Sequence, residues 1–171
     1  MKVIPNIFIE LGLKTITTLA LNDHLEAQLF LAQWYQRQQE GHPEGFYWML
    51  RAAYQDDPKA MVTVSSCYYH GIGVKKDIYK AIYWTERGGE LKSPESQYRS
   101  AQYNQKVSSS HNAVAYIWAY LSVANGHEEA HSLKNDLEAS LPLENLLTIQ
   151  NVARKLHVLM DEKPVKKHSV I

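Results

Sequence analysis

Three tryptophans, Trp48, Trp84 and Trp118, stand 36 and 34 residues apart, and each has a small residue three positions before it: Gly45, Ala81 and Ala115. A second register runs upstream of the first. The segments "EAQLFLAQWY" (26–35), "KAMVTVSSCY" (59–68), "ESQYRSAQYN" (95–104) and "EAHSLKNDLE" (129–138) align on Ala27, Ala60, Ser96 and Ala130, which are 33, 36 and 34 apart. Self-similarity at such a period marks an array in which each unit buries its apolar face only against its neighbours. Nothing else in the chain restricts its fold as strongly.

Inside each unit the apolar spacing is helical. In "EAQLFLAQWYQRQ", Ala27, Leu31, Ala32 and Tyr35 recur at i, i+4, i+5 and i+8, the stripe of a helix with one buried face. The second segment, "DIYKAIYWTERGG" in its best copy, carries its stripe through Ala81, Ile82, Tyr83 and Trp84. Between the two, "HGIGVKKD" places Gly71 and Gly73 where a helix must stop and reverse, then Asp77 as an N-cap. Pro58 and Pro94 fall at the first helical positions, where the missing N–H costs nothing.

Each unit therefore reads as helix, turn, helix. The pattern predicts helices near 24–38 and 44–55, 58–70 and 77–88, 94–106 and 111–125, and a closing pair near 127–139 and 143–158. The expected fold is all-α: a right-handed α/α solenoid of antiparallel helix pairs. Ala27, Ala32, Ala60, Ser65, Ala81, Ala101 and Ala115 let neighbouring helices approach closely, while tryptophan and tyrosine fill the wedge between units.

Composition narrows the function classes. Lys plus Arg and Asp plus Glu number 18 each, so no basic face suits nucleic acid or an anionic membrane. The single cysteine, Cys67, excludes an intrachain disulfide and reads as a small buried hydrophobe. The apolar N-terminus is interrupted by Pro5, Asn6, Glu10 and Lys14, so it is expected to be half of a repeat (5–22) and not a transmembrane span. A cytoplasmic location is expected, or a periplasmic one should that segment serve as a secretory signal.

The best unit, "PKAMVTVSSCYYHGIGVKKDIYKAIYWTERGGE" (58–90), resembles the Sel-1-like repeat, a relative of the tetratricopeptide repeat. Tyr68, Gly71, Gly73, Val74, Asp77, Lys80, Ala81, Trp84, Gly88 and Gly89 fill the pattern A-x-x-x-L-G-x-x-Y-x-x-G-x-G-V followed by D-x-x-K-A-x-x-W and two small residues. The resemblance gives one domain over 1–160, with repeats at 24–57, 58–92 and 93–126, a terminal pair at 127–158, and a polar tail at 161–171. Two copies depart from the pattern. The first replaces the glycine turn with "QRQQEGHPEG"; the third uses "KVSSSHNAV" and has Asn104 where tyrosine is usual.

One motif points elsewhere. "GHEEAH" (126–131) spells H-E-x-x-H, the spacing with which a helix presents two imidazoles to zinc. The same residues, however, sit at the junction of two repeats, where "GHEEA" follows from register alone. His127 is expected in a frayed first turn, and no second histidine cluster supplies a third ligand. A metal-dependent hydrolase is thus the remote alternative, and no catalytic residue, metal or cofactor is expected. Some cysteine-rich relatives have penicillin-binding or hydrolytic activity, but those resemble disulfide-stapled repeats with paired cysteines, and this chain has one cysteine.

The resemblance implies a non-enzymatic adaptor or scaffold that holds a protein partner on the concave face lined by first helices. By analogy with tetratricopeptide arrays, that face carries Gln33, Gln36 and Arg37 in the first unit, Ser66, Tyr69 and His70 in the second, and Tyr98, Gln102, Gln105 and Lys106 in the third. Tyr69 and Tyr98 are expected as exposed anchors. The alternative is an immunity or accessory protein that neutralises a cognate secreted toxin effector.

Overall fold

A computed structural model describes residues 6–162, with side chains from residue 11 onward. Among the described residues there are nine α-helices and no strand: α1 (Asn6–Leu21), α2 (Leu25–Gln38), α3 (Pro43–Tyr54), α4 (Pro58–His70), α5 (Ile78–Glu90), α6 (Pro94–Val107), α7 (Asn112–Ala124), α8 (Ala130–Ser140) and α9 (Leu143–Glu162). The six central helices begin and end within one or two residues of the sequence expectation. The closing pair is shifted: α8 starts three residues late, and α9 runs to Glu162. The tail expected from 161 lies, from 163 on, outside the described residues.

Local chemistry explains the boundaries. Asp57 and Ser93 cap α4 and α6 by accepting from the backbone N–H of Ala60 and Ser96, and the next residue in each case is proline at the first helical position. Asp77 caps α5 by accepting from the N–H groups of Tyr79 and Lys80. Gly71 ends α4 in the left-handed conformation (φ 80°), which costs glycine nothing. In the third unit a short 3₁₀ turn, Ser109–His111, takes over this role; there the Ser108 hydroxyl lies 2.9 Å from His111 Nδ1.

Consecutive helices pack in pairs along the chain. α2, α4 and α6 each lie against the helix that follows, α3, α5 and α7, and also against the one before, α1, α3 and α5; α8 lies against α7. First helices of successive units touch as well, α4 on α6 and α6 on α8, and α9 packs on α7. The result is a solenoid with a layer of first helices and a layer of second helices.

Three devices recur at the repeat period. After each second helix one residue takes a positive φ: Asp23 (59°), Asp56 (61°), Lys92 (62°) and Gly126 (91°), spaced 33, 36 and 34 apart. The two aspartates are then gripped from the next unit. Arg51 reaches Asp23 and Arg87 reaches Asp56, each through Nη2 to Oδ1 at 2.5 Å. At the following step the charges reverse, and Lys92 binds Asp161 of α9 at 3.1 Å.

The third device is a buried glutamine one position after the small register residue. Gln28 Nε2 donates to the carbonyl of Ala20 and Gln97 Nε2 to that of Gly89, both at 2.9 Å, so each first helix bonds the end of the preceding second helix. Their carbonyl oxygens accept from Gln55 (2.8 Å) and Asn125 (3.0 Å), residues that end the second helix of the same unit. In each of these fully buried amides both the nitrogen and the oxygen are hydrogen-bonded, as a polar group away from water requires. In the second unit Met61, fully buried, fills the place instead.

The tryptophans behave as the wedge requires. Trp48 and Trp84 are 4% and 3% exposed. Trp118 is half-buried, and its indole N–H donates to Glu86 Oε1 at 3.1 Å; the same oxygen accepts from Asn104 at 3.4 Å. Asn104 thus replaces the usual tyrosine with an amide that shares a carboxylate with the repeat tryptophan. The displaced aromatic is its neighbour Tyr103, buried, whose phenol is pushed up from its ordinary value by that burial.

Candidate protein-binding face

The first helices α2, α4 and α6 carry all ten residues expected at the site. Gln33, Arg37, His70, Gln105 and Lys106 are exposed; Gln36, Ser66, Tyr69, Tyr98 and Gln102 are half-buried. Gln33, Gln36, Arg37, Ser66, Gln102, Gln105 and Lys106 make no hydrogen bond or ion pair among the described residues. This differs from the interior of the same helices, where Gln28, Gln97, Ser65, Ser100 and Asn104 are all hydrogen-bonded.

The two tyrosines are placed differently from expectation. Tyr69 stacks flat on Tyr103, 4.4 Å between ring centroids at 10°, and so ties α4 to α6; the Lys76 ammonium lies 5.5 Å from the centroid of the Tyr69 ring. Tyr98 stacks on His127 at 4.6 Å and 25°. Both rings therefore spend one face on repeat-to-repeat packing and are not exposed. The exposed tyrosines lie on the second helices instead: Tyr47 and Tyr54 on α3, Tyr79 and Tyr83 on α5. Tyr47 and Tyr83 immediately precede Trp48 and Trp84, so inward tryptophan and outward tyrosine are a repeated dipeptide whose register could have revealed them.

The H-E-x-x-H segment is resolved by position. His127 lies before α8, which begins at Ala130, so the two histidines do not share a regular helical turn. His127 Nε2 is 2.8 Å from Glu95 Oε2, and Glu95 also accepts from Arg99 at 2.7 Å. Burial alone would raise the Glu95 carboxyl, yet these two partners hold it below the ordinary carboxylate range. His131 is exposed in the register place of Gln28 and Gln97. Among the described residues no three His, Cys, Asp or Glu side chains are grouped to hold a metal ion.

A cavity of about 240 Å³ opens between the end of α2 and α4 and is bounded by both connectors. It takes in two of the expected residues, Gln36 and Ser66, and adds Thr63 of α4 and Glu40 of the α2–α3 connector. No sequence signal in a single repeat announces it, because its walls come from two units. Cys67, 3% exposed, lies at its floor, and burial raises its thiol above the ordinary value.

Residues 25–57 and 58–93, the α2–α3 and α4–α5 units, match the Sel1 repeat. The chain thus carries two Sel1 repeats. The third unit, α6–α7, lies outside the matched residues but keeps the buried glutamine, the small residues and the tryptophan. Among solved structures, the Sel1-like chain is similar to a Sel1 repeat protein from Oxalobacter formigenes, with 25% identity over 73% of this chain and 98% of that one and a TM-score of 0.59. It is also similar to c5321, a protective antigen present in uropathogenic Escherichia coli strains, with a TM-score of 0.70 over 95% of this chain; at 18% identity that likeness shows the fold alone. The chain covers 37% of that antigen. Among curated proteins no sequence matches. No helix among the described residues is long and apolar enough to cross a membrane.

Proposed function

We propose that this Sel1-like protein is a non-enzymatic scaffold or adaptor that holds a protein partner across its first-helix face, the concave side of such a solenoid. The observation that carries the reading is the row of unpaired polar side chains on that face. Gln33, Arg37, Gln102, Gln105 and Lys106 occupy matching outward positions on α2 and α6 and have no partner within the described residues. Sel1 repeats serve as protein-interaction modules, and a layer of first helices in contact from α4 to α8 provides an extended surface of the kind these arrays use.

Affinity capture from the native host tests the reading. Arg37→Glu combined with Lys106→Glu is expected to weaken retention of the partner by about tenfold, roughly 1.4 kcal/mol. Thermal unfolding should stay within about 0.5 kcal/mol of the parent, as for other surface changes. Undiminished capture by the double variant would place binding elsewhere.

A further inference from the structure

The cavity between α2 and α4 is framed by two connectors that interlock through backbone. Gly41 and Gly73 both hold positive φ, 74° and 69°, and a Cβ on Gly73 would come within 3.1 Å of Phe46 Cβ, 3.2 Å of the His42 carbonyl and 3.3 Å of the Gly41 carbonyl. The two connectors therefore meet closely at this end wall, with no room there for a side chain at Gly73. At about 240 Å³ the space is smaller than the roughly 300–1,000 Å³ of a small-molecule site, and it suits a single side chain.

Its lining is amphipathic. Ile72, the Thr63 methyl and Cys67 supply apolar wall, and Gln36, Ser66 and Glu40 supply polar groups that make no hydrogen bond among the described residues. Glu40 is the one ionised side chain among the lining residues described. An acidic occupant would face that carboxylate at close range. A purely apolar one would remove Gln36 and Ser66 from water without replacing their hydrogen bonds, a loss of about 1–3 kcal/mol for each group left unsatisfied. A side chain with an apolar stem and a cationic head satisfies both halves.

We infer that this cavity is a socket for one lysine or arginine side chain of a bound protein, its stem against Ile72 and Thr63 and its head at Glu40. The inference rests on the scaffold reading and specifies the partner's chemistry. Gln36 and Ser66 then accept the hydrogen bonds of the cationic group that Glu40 leaves unmet, since an ammonium has three donors and a guanidinium five.

The test uses the full chain, isotopically labelled, titrated with n-butylammonium and n-butylguanidinium as stand-ins for the two side chains and with n-butanol as the neutral control. Saturable shifts of the Thr63, Ser66 and Cys67 amide signals are expected with the cations, and about fivefold weaker binding in Glu40→Gln, the upper end of an exposed ion pair. Glu40 is exposed, so this variant should retain the fold. Equal binding of n-butanol, or cation binding unchanged in Glu40→Gln, would overturn the socket. Partner capture separates the two claims: dependence on Arg37 and Lys106 with no cation binding sinks the socket alone, whereas capture indifferent to the whole face sinks the scaffold reading.

Discussion

Replacing Trp84 by alanine should cost the fold about 3–5 kcal/mol, the range for large-to-small changes at a buried aromatic. The indole is 3% exposed and sits between units. Tyr54 of the preceding second helix meets it edge-on at 5.0 Å, and the Arg87 guanidinium lies 5.5 Å from its ring. Arg87 also grips Asp56, the positive-φ residue at the junction, so the cavity left by Trp84→Ala would loosen that ion pair too. Because stability in such an array is shared between nearest neighbours, the loss should reach the α3–α4 junction. Urea denaturation measures it, and a midpoint equal to the parent's would show that Trp84 does not hold the units together.

Gly88→Ala is expected to destabilise by about 1–3 kcal/mol, although helix propensity alone favours alanine by roughly 1 kcal/mol. The competing term is contact between α5 and α6. A Cβ at Gly88 would stand 2.4 Å from Ser96 Oγ and 2.9 Å from Ser96 Cβ, and the second of these is not the movable end of a side chain. Ser96 is fully buried and its hydroxyl bonds Ser93, the cap of α6, so it has little room to retreat. Ser96→Gly in the Gly88→Ala background should therefore recover much of the loss, though alone it should cost up to about 1 kcal/mol. Denaturation midpoints of the four proteins give the coupling. A more stable Gly88→Ala would mean that the helices lie farther apart than the structure places them.

The helices were legible because each is written several times. A residue such as Ala60 or Trp84 carries little information alone, but recurrence at one period assigns it to a buried face, and Pro58, Pro94 and Gly71 then mark the ends. The closing pair was less legible because its register is incomplete: Ala130 keeps its place, but at the register place of the caps Asp57 and Ser93 stands His127, whose ring turns to Glu95, and α8 begins only after Glu129, which makes no side-chain cap. Positive φ at Asp23, Asp56 and Lys92 could not be read, since without glycine only the repeat spacing of the junctions hints at it. The candidate face was chosen in sequence by analogy, but the state of its tyrosines could not be read there. Tyr69 is covered by Tyr103 and Tyr98 by His127, partners 34 and 29 residues away that only stacking of units brings near.

On the proposed function, the first-helix layer, and not the tyrosine-bearing second-helix layer, holds the partner. Photo-crosslinking amino acids placed singly at Gln33, Gln102, Tyr79 and Tyr83 in the native host test it most directly, since the first two lie on the first helices and the others are exposed on α5. The expected result is one protein joined to the chain from Gln33 and Gln102 and absent from the two α5 positions. Adducts formed from Tyr79 and Tyr83 alone would contradict it.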